Sequence, residues 1–138
     1  MTLKPWPVVA GLLVDSLGSI AVGVVYVAVV LGAHAVRGTE ITDDLFDSHV
    51  NITAILGLLL TVAGGFVAGW LAKTNEVRHG IGVGVGSVLI WLLLDWAVPA
   101  DGPESIVEMI SFFAVIPAAA LGGYGAARMN RRRVSRLT

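Results

Sequence analysis

The segment VNITAILGLLLTVAGGFVAGWLA, residues 50–72, contains no Asp, Glu, Lys, Arg or His. Its apolar residues run on without the polar alternation of a barrel strand, whose spanning segments are about ten residues long. A helix of roughly 20 residues crosses the ~30 Å hydrocarbon core of a bilayer. In lipid every backbone polar group must be satisfied within the segment, so this run is a helix. Working outward, three more runs have the same character, at 8–36, 80–98 and 105–127. The first is longer than a bilayer requires and is expected to tilt or protrude. Acids interrupt these runs at Asp15 in the first, at Asp95 near the end of the third, and at Glu108 in the first turn of the fourth. One connection runs from 37 to 49 and the other two are short, so neighbouring helices must be antiparallel. The expected architecture is a single all-α domain over 1–138, a polytopic membrane four-helix bundle with a basic tail at 128–138.

Composition agrees. Of 138 residues, 56% are hydrophobic and 14% charged, and the mean hydropathy is +0.83. A soluble domain of this size still exposes about a third of its unfolded surface, and that surface would be apolar here. A disordered chain is excluded by the same numbers. There is no Cys, hence no disulfide scaffold, thiolate metal site or Cys nucleophile. The first apolar run is too long for the core of a signal peptide, so it reads as a retained membrane helix.

Charge sets the expected threading. Four helices place the N-terminus, the second connection and the C-terminus on one side, with Lys4, Lys73, Arg78, Arg128, Arg131, Arg132, Arg133 and Arg136. The other side has Arg37 with Glu40, Asp43, Asp44, Asp47, Asp95, Asp101, Glu104 and Glu108. Lys and Arg are retained on the cytoplasmic face, so both termini are expected there, in a bacterial inner (plasma) membrane. Trp6, Trp70 and Trp96 fall at the two boundaries, as an aromatic belt does.

Small residues recur every four positions: Gly11, Asp15, Ser19 and Gly23 in the first helix, and Thr53, Gly57, Thr61, Gly65 and Gly69 in the second. Gly80 and Gly84 follow in the third, and Ala114, Ala118, Gly122 and Ala126 in the fourth. Residues four apart share a helix face, and such stripes let helices approach closely in lipid. Gly11, Gly23, Gly57, Thr61, Gly65, Gly69, Gly84 and Gly122 are therefore read as helix-packing positions. Leu at Gly57 or at Gly65 is expected to disrupt folding, and a spare stripe could form a homodimer face. Gly64-Gly65-Phe66-Val67-Ala68 echoes Gly122-Gly123-Tyr124-Gly125-Ala126, which suggests duplication of a hairpin.

Asp15 is the leading functional candidate, with Ser19 beside it. It lies about 13 Å beyond Trp6 at ~1.5 Å per residue, near mid-membrane. Acids there are costly and mark either function or a hydrogen-bonded packing node. A proton- or cation-coupling carboxyl and a carboxyl bonded to Ser or Thr of the second helix are the two readings. Pro117 should kink the fourth helix and is a hinge candidate. Glu40, Asp43, Asp44 and Asp47 share one face of a short helix that could lie on the bilayer; a solvated face is the plain reading and cation capture the sharper one. His34 and His49 could approach at one rim, while His79 reads as part of the second connection. Arg128, Arg131, Arg132, Arg133 and Arg136 suit anionic lipid headgroups; nucleic acid is not an expected partner.

No nucleophile triad, zincin helix, phosphate loop or dinucleotide fingerprint is present, so no enzyme activity and no cofactor are expected. Gly64 to Gly69, a short basic connection and then His79-Gly80 with a Gly-rich helix resemble uncharacterised small four-helix bacterial inner-membrane proteins. The resemblance covers mainly 57–90 and implies no activity. Small multidrug transporters share the layout of four helices with an acid in the first, but not the aromatic pattern around that acid. The reading is an integral membrane protein of structural or accessory type, held in a bilayer as a homo-oligomer or in a larger membrane complex. The alternative is a proton- or cation-coupled transporter or channel working through Asp15.

Overall fold

The computed structural model describes residues 3–39, 43–97 and 106–134, and the side chains of all of these except 43–48, 50, 108, 133 and 134. Within them the chain is four α-helices: α1 (Pro5–Arg37), α2 (Asp43–Ala72), α3 (Glu76–Ala97) and α4 (Ile106–Val134). Each contains a stretch long and apolar enough to cross a membrane. The fold is an all-α membrane bundle.

Local chemistry sets the ends of α1. Pro5 and Pro7 occupy its first turn, where a missing N–H costs nothing. Gly38 closes it at φ +63°, and the Gly38 and Thr39 N–H groups donate back to Ala35 and His34. Between α2 and α3 the chain turns in three residues, with Lys73 (φ +58°) and Asn75 (φ +53°) both left-handed.

Several boundaries differ from the sequence expectation, α1 opening at Pro5 rather than 8 and α3 at Glu76 rather than 80. Asp43, Asp44 and Asp47 lie in the opening turns of α2 itself, because nothing breaks the helix between them and the span. They do not form a separate surface helix. Likewise α4 runs on to Val134, so Arg128, Arg131 and Arg132 are exposed positions on its last turns rather than a detached tail. Glu40, Asp101, Glu104 and Arg136 lie outside the described residues, as do the side chains of Asp43, Asp44, Asp47, Glu108 and Arg133.

α2 and α3 form the centre. α2 packs on all three other helices, and α3 does too, whereas α1 and α4 do not touch among the described residues. All described buried residues sit in the half nearest Lys4, Lys73, Arg78 and Arg128, here called the basic end, among them Ala68, Ala72, Val83, Ala119 and Ala126, with Asp15, Thr61 and His79. Toward the acidic end, where Asp43 and Asp95 lie, the helices are only half-buried or exposed.

Glycine explains why one half is tight. A Cβ on Gly11 would stand 2.6 Å from the Gly64 carbonyl oxygen and 2.6 Å from Val83 Cγ2. On Gly65 it would fall on the Ala119 backbone, and on Gly122 on the Val62 carbonyl. On Gly84 it would lie 2.7 Å from Ile116 Cα. Backbone thus meets backbone across α1–α2, α2–α4 and α3–α4, the close approach that replaces hydrophobic drive in lipid. Gly69 is less crowded, 3.0 Å from Ala126 Cβ. Gly23 and Gly57 depart from the packing expectation. A Cβ on either meets nothing within 4 Å, because the helices have already parted at that level.

The Gly65–Ala119 and Gly122–Val62 contacts are reciprocal, since Gly122 follows Gly65 and Ala119 follows Val62 by the same 57 residues. The parallel helices α2 and α4 therefore cross symmetrically. That symmetry is one residue out of step with the Gly-Gly echo in the sequence. It does not extend to the whole bundle, since α2 touches α3 while α1 leaves α4 alone.

Candidate functional site

Asp15 projects from the third turn of α1 into the junction of α1, α2 and α3, with 5% of its surface exposed. Gly11, one turn earlier, brings α1 close enough to α2 for this to happen. Thr61 of α2, 4% exposed, donates to Asp15 Oδ1 at 2.8 Å. Ser87 of α3 donates to Asp15 Oδ2. One carboxyl thus ties three helices.

Each hydroxyl has a second acceptor in its own helix. Thr61 Oγ1 lies 3.1 Å from the Gly57 carbonyl, and Ser87 Oγ lies 3.1 Å from that of Val83. A hydroxyl has one proton and two lone pairs. With Asp15 ionised, both hydroxyls can point at the carboxylate. With Asp15 protonated, the carboxyl donates to one of them, and that hydroxyl turns to its own i−4 carbonyl. Neither state leaves a hydrogen-bonding group of this cluster unpaired.

Ser19, one turn from Asp15, does not join this cluster. It lines a small cleft of about 40 Å³ between α1 and α2 with Val22, Gly23, Thr53, Leu56, Gly57 and Leu60. A wider open apolar groove, about 430 Å³, continues along the same seam past Val25, Tyr26 and Val29. Tyr26 and His49 are hydrogen-bonded there at 2.5 Å between Oη and Nδ1, and the His34 ring stands edge-on to that of His49 with centroids 6.3 Å apart. Thr53 donates to the His49 carbonyl at 3.1 Å. The approach of His34 and His49 follows the sequence expectation; no group of three or more metal-ligating side chains occurs among the described residues.

Pro117 is exposed within an unbroken α4 and touches none of these groups. Arg128, Arg131 and Arg132 stand at the basic end with Lys4, Lys73 and Arg78, all exposed.

A family model described as protein of unknown function (DUF3792) matches residues 6–132. The chain belongs to the DUF3792 family. No curated protein and no solved structure matches it.

One residue of this DUF3792 chain was misplaced by its neighbours in sequence. His79 follows Arg78 and reads as connection, yet it lies inside α3 and is fully buried. Its Nδ1 donates to the Asn75 carbonyl at 3.0 Å, which leaves Nε2 as acceptor for the Lys4 backbone N–H at 3.0 Å. Lys4 is the N-cap of α1 and has no side-chain cap of its own. An imidazole from α3 therefore supplies an acceptor at the start of α1, a pairing across 75 residues that no local pattern announces.

Proposed function

We propose that this DUF3792 protein is a structural or accessory component of its membrane, without a catalytic step, and that Asp15 is the polar lock of its tight half. The observation that carries this is the state of the Asp15 carboxyl. Both oxygens are bonded by hydroxyls from two other helices, and neither cleft described above includes the carboxyl. A transporter carboxyl has to meet its solute, and the apolar wall of Gly11, Gly64, Ala68 and Val83 stands between Asp15 and the basic end. The charge asymmetry supports an orientation with the basic end and both termini in the cytoplasm of a bacterium. The arginines of α4 would then rest against anionic headgroups, each contributing about 1 kcal/mol.

The test is proton flux in vesicles reconstituted with the full chain and loaded with a pH-sensitive dye. The wild type and Asp15→Asn should both leak no faster than protein-free vesicles. Flux that depends on Asp15 overturns the structural reading in favour of proton coupling.

A further inference from the structure

We propose that the α1–α2 seam is a one-sided water and proton path from the acidic end to Asp15, which makes this carboxyl a proton-binding site inside the lock. The inference goes beyond the structural reading and requires no transport.

Polar groups line the seam at helical intervals on both sides. α1 presents His34, Tyr26, Ser19 and Asp15, and α2 presents His49, Thr53 and Thr61. Hydrogen bonds join some of them across the seam and tie the threonines to their own helix. His49 Nδ1 pairs with Tyr26, the His49 carbonyl accepts from Thr53, and Thr61 spans the Gly57 carbonyl and Asp15. A lipid-facing seam has no use for such a ladder, because each polar group there costs free energy unless paired.

The small cleft covers part of the interval between Thr53 and Thr61, from Thr53 to Gly57 and Leu60, and stops one residue short of the Thr61 that bonds the carboxyl. Its volume of about 40 Å³ exceeds the ~10–15 Å³ that one water occupies, and water needs two to four polar partners. Ser19 and Thr53 line it, the Thr53 hydroxyl already donating to the His49 carbonyl. Gly23 and Gly57 keep the space open, since neither packs against anything. Toward the acidic end, His49 Nε2 is buried without a partner among the described residues. Groups of this kind are normally satisfied by ordered water.

The path ends at Asp15. Beyond it α1 offers Gly11 and Pro7, α2 offers Gly64 and Ala68, and α3 offers Val83, all buried and apolar. The carboxyl faces no titratable group on α2 or α3, only the hydroxyls of Thr61 and Ser87, and α4 does not reach α1. The titratable groups on the seam are Tyr26, His34 and His49 toward the acidic end. Lys4 and His79 lie on the far side of the apolar wall. Because the two hydroxyls can reverse, a proton arriving along the seam is accepted without breaking the lock.

The chain has no Cys, so single cysteines report water access directly. Silver ion, a thiol-reactive cation small enough for the cleft, is added from one face of vesicles holding full-length Thr53→Cys, Ser19→Cys, Thr61→Cys or Ser87→Cys. Lipid-facing Val24→Cys and Leu59→Cys and the walled-off Ala68→Cys are the controls. Only a hydrated thiol ionises to react, so the first three should react from the acidic end about tenfold or more faster than the controls. Gly57→Leu, which fills the cleft, should slow Thr61→Cys and leave Thr53→Cys less affected. Reaction of Ser19→Cys at the control rate, or entry from the basic end, overturns the proposal. So does a reactive Ser19→Cys with both Thr61→Cys and Ser87→Cys inert, since the path would stop short of the carboxyl. Proton flux across the vesicle would refute the structural reading while leaving these rates to decide the path.

Discussion

The hydroxyl of Thr61 lies 2.8 Å from Asp15 Oδ1 and 3.1 Å from the Gly57 carbonyl, with one proton to serve both. This arrangement predicts how the lock fails. Asp15→Asn keeps an acceptor for Thr61, and its new N–H₂ can donate to Ser87, whose own proton turns to Val83. Thermal unfolding in detergent should change little. Asp15→Leu orphans both hydroxyls, but each retains its i−4 carbonyl, so the loss is bounded by two interhelical bonds. Such bonds average about 0.6 kcal/mol and reach about 1.7 in membrane bundles. Thr61→Val and Ser87→Ala should each cost about one such bond. A greater effect of Asn than of Leu would contradict the lock.

The glycines predict a sharp contrast within one helix. Gly65→Ala puts a methyl on the Ala119 backbone, and Gly122→Ala puts one on the Val62 carbonyl. Neither neighbour is the flexible end of a side chain, so α2 and α4 must separate. Overpacking of a tight interior costs about 1–3 kcal/mol. Gly23→Ala and Gly57→Ala enter open space and should be neutral, or stabilising by up to about 1 kcal/mol from helix propensity. Folded yield and melting temperature of the four variants, measured side by side, check this.

That contrast marks how much could be read from the chain alone. Four long apolar runs dictate four helices, and the spacing of Gly11, Asp15, Gly65 and Thr61 identifies the faces that meet. Periodicity is blind to how far two helices diverge. Gly57 and Gly65 are equivalent by spacing, but only one lies at the crossing. Ser87 joined Asp15 from a helix whose stripe was read from its glycines alone. His79 was hidden for a related reason. Its neighbour Arg78 is charged, and hydropathy places both outside the membrane, whereas the imidazole is consumed by Lys4 and Asn75.

His79 should consequently matter more to folding than any exposed residue of the same end. His79→Phe fills the space but leaves the Lys4 N–H and the Asn75 carbonyl without the imidazole. Lys4 is exposed and the Asn75 carbonyl keeps the His79 backbone N–H, so the loss is about that of one hydrogen bond, roughly 0.5–1.5 kcal/mol. Gln at this position offers an oxygen and an N–H₂ and should recover part of that loss. Hydrogen exchange at the start of α1 would locate the effect, with faster exchange in His79→Phe than in His79→Gln. Equal exchange in wild type and His79→Phe would show that the Lys4 contact contributes nothing.

The turn at Lys73 offers a stabilising change. A non-Gly residue held at φ +58° is strained by about 1–2 kcal/mol, because its Cβ crowds the following carbonyl oxygen. Lys73 is exposed, and its N–H donates to the Gly69 carbonyl at 3.2 Å, a bond that any residue except proline can make. Lys73→Gly removes the strain and adds unfolded-state entropy costing about 0.4–1 kcal/mol. A net gain of about 0.5–1 kcal/mol is expected from those two opposing terms. Lys73→Ala keeps the strain and loses the same charge, so it separates conformation from electrostatics. If Gly and Ala melt together, the left-handed turn is not where the strain lies; if Gly melts higher, the backbone at this corner is held in place by the packing of α2 against α3.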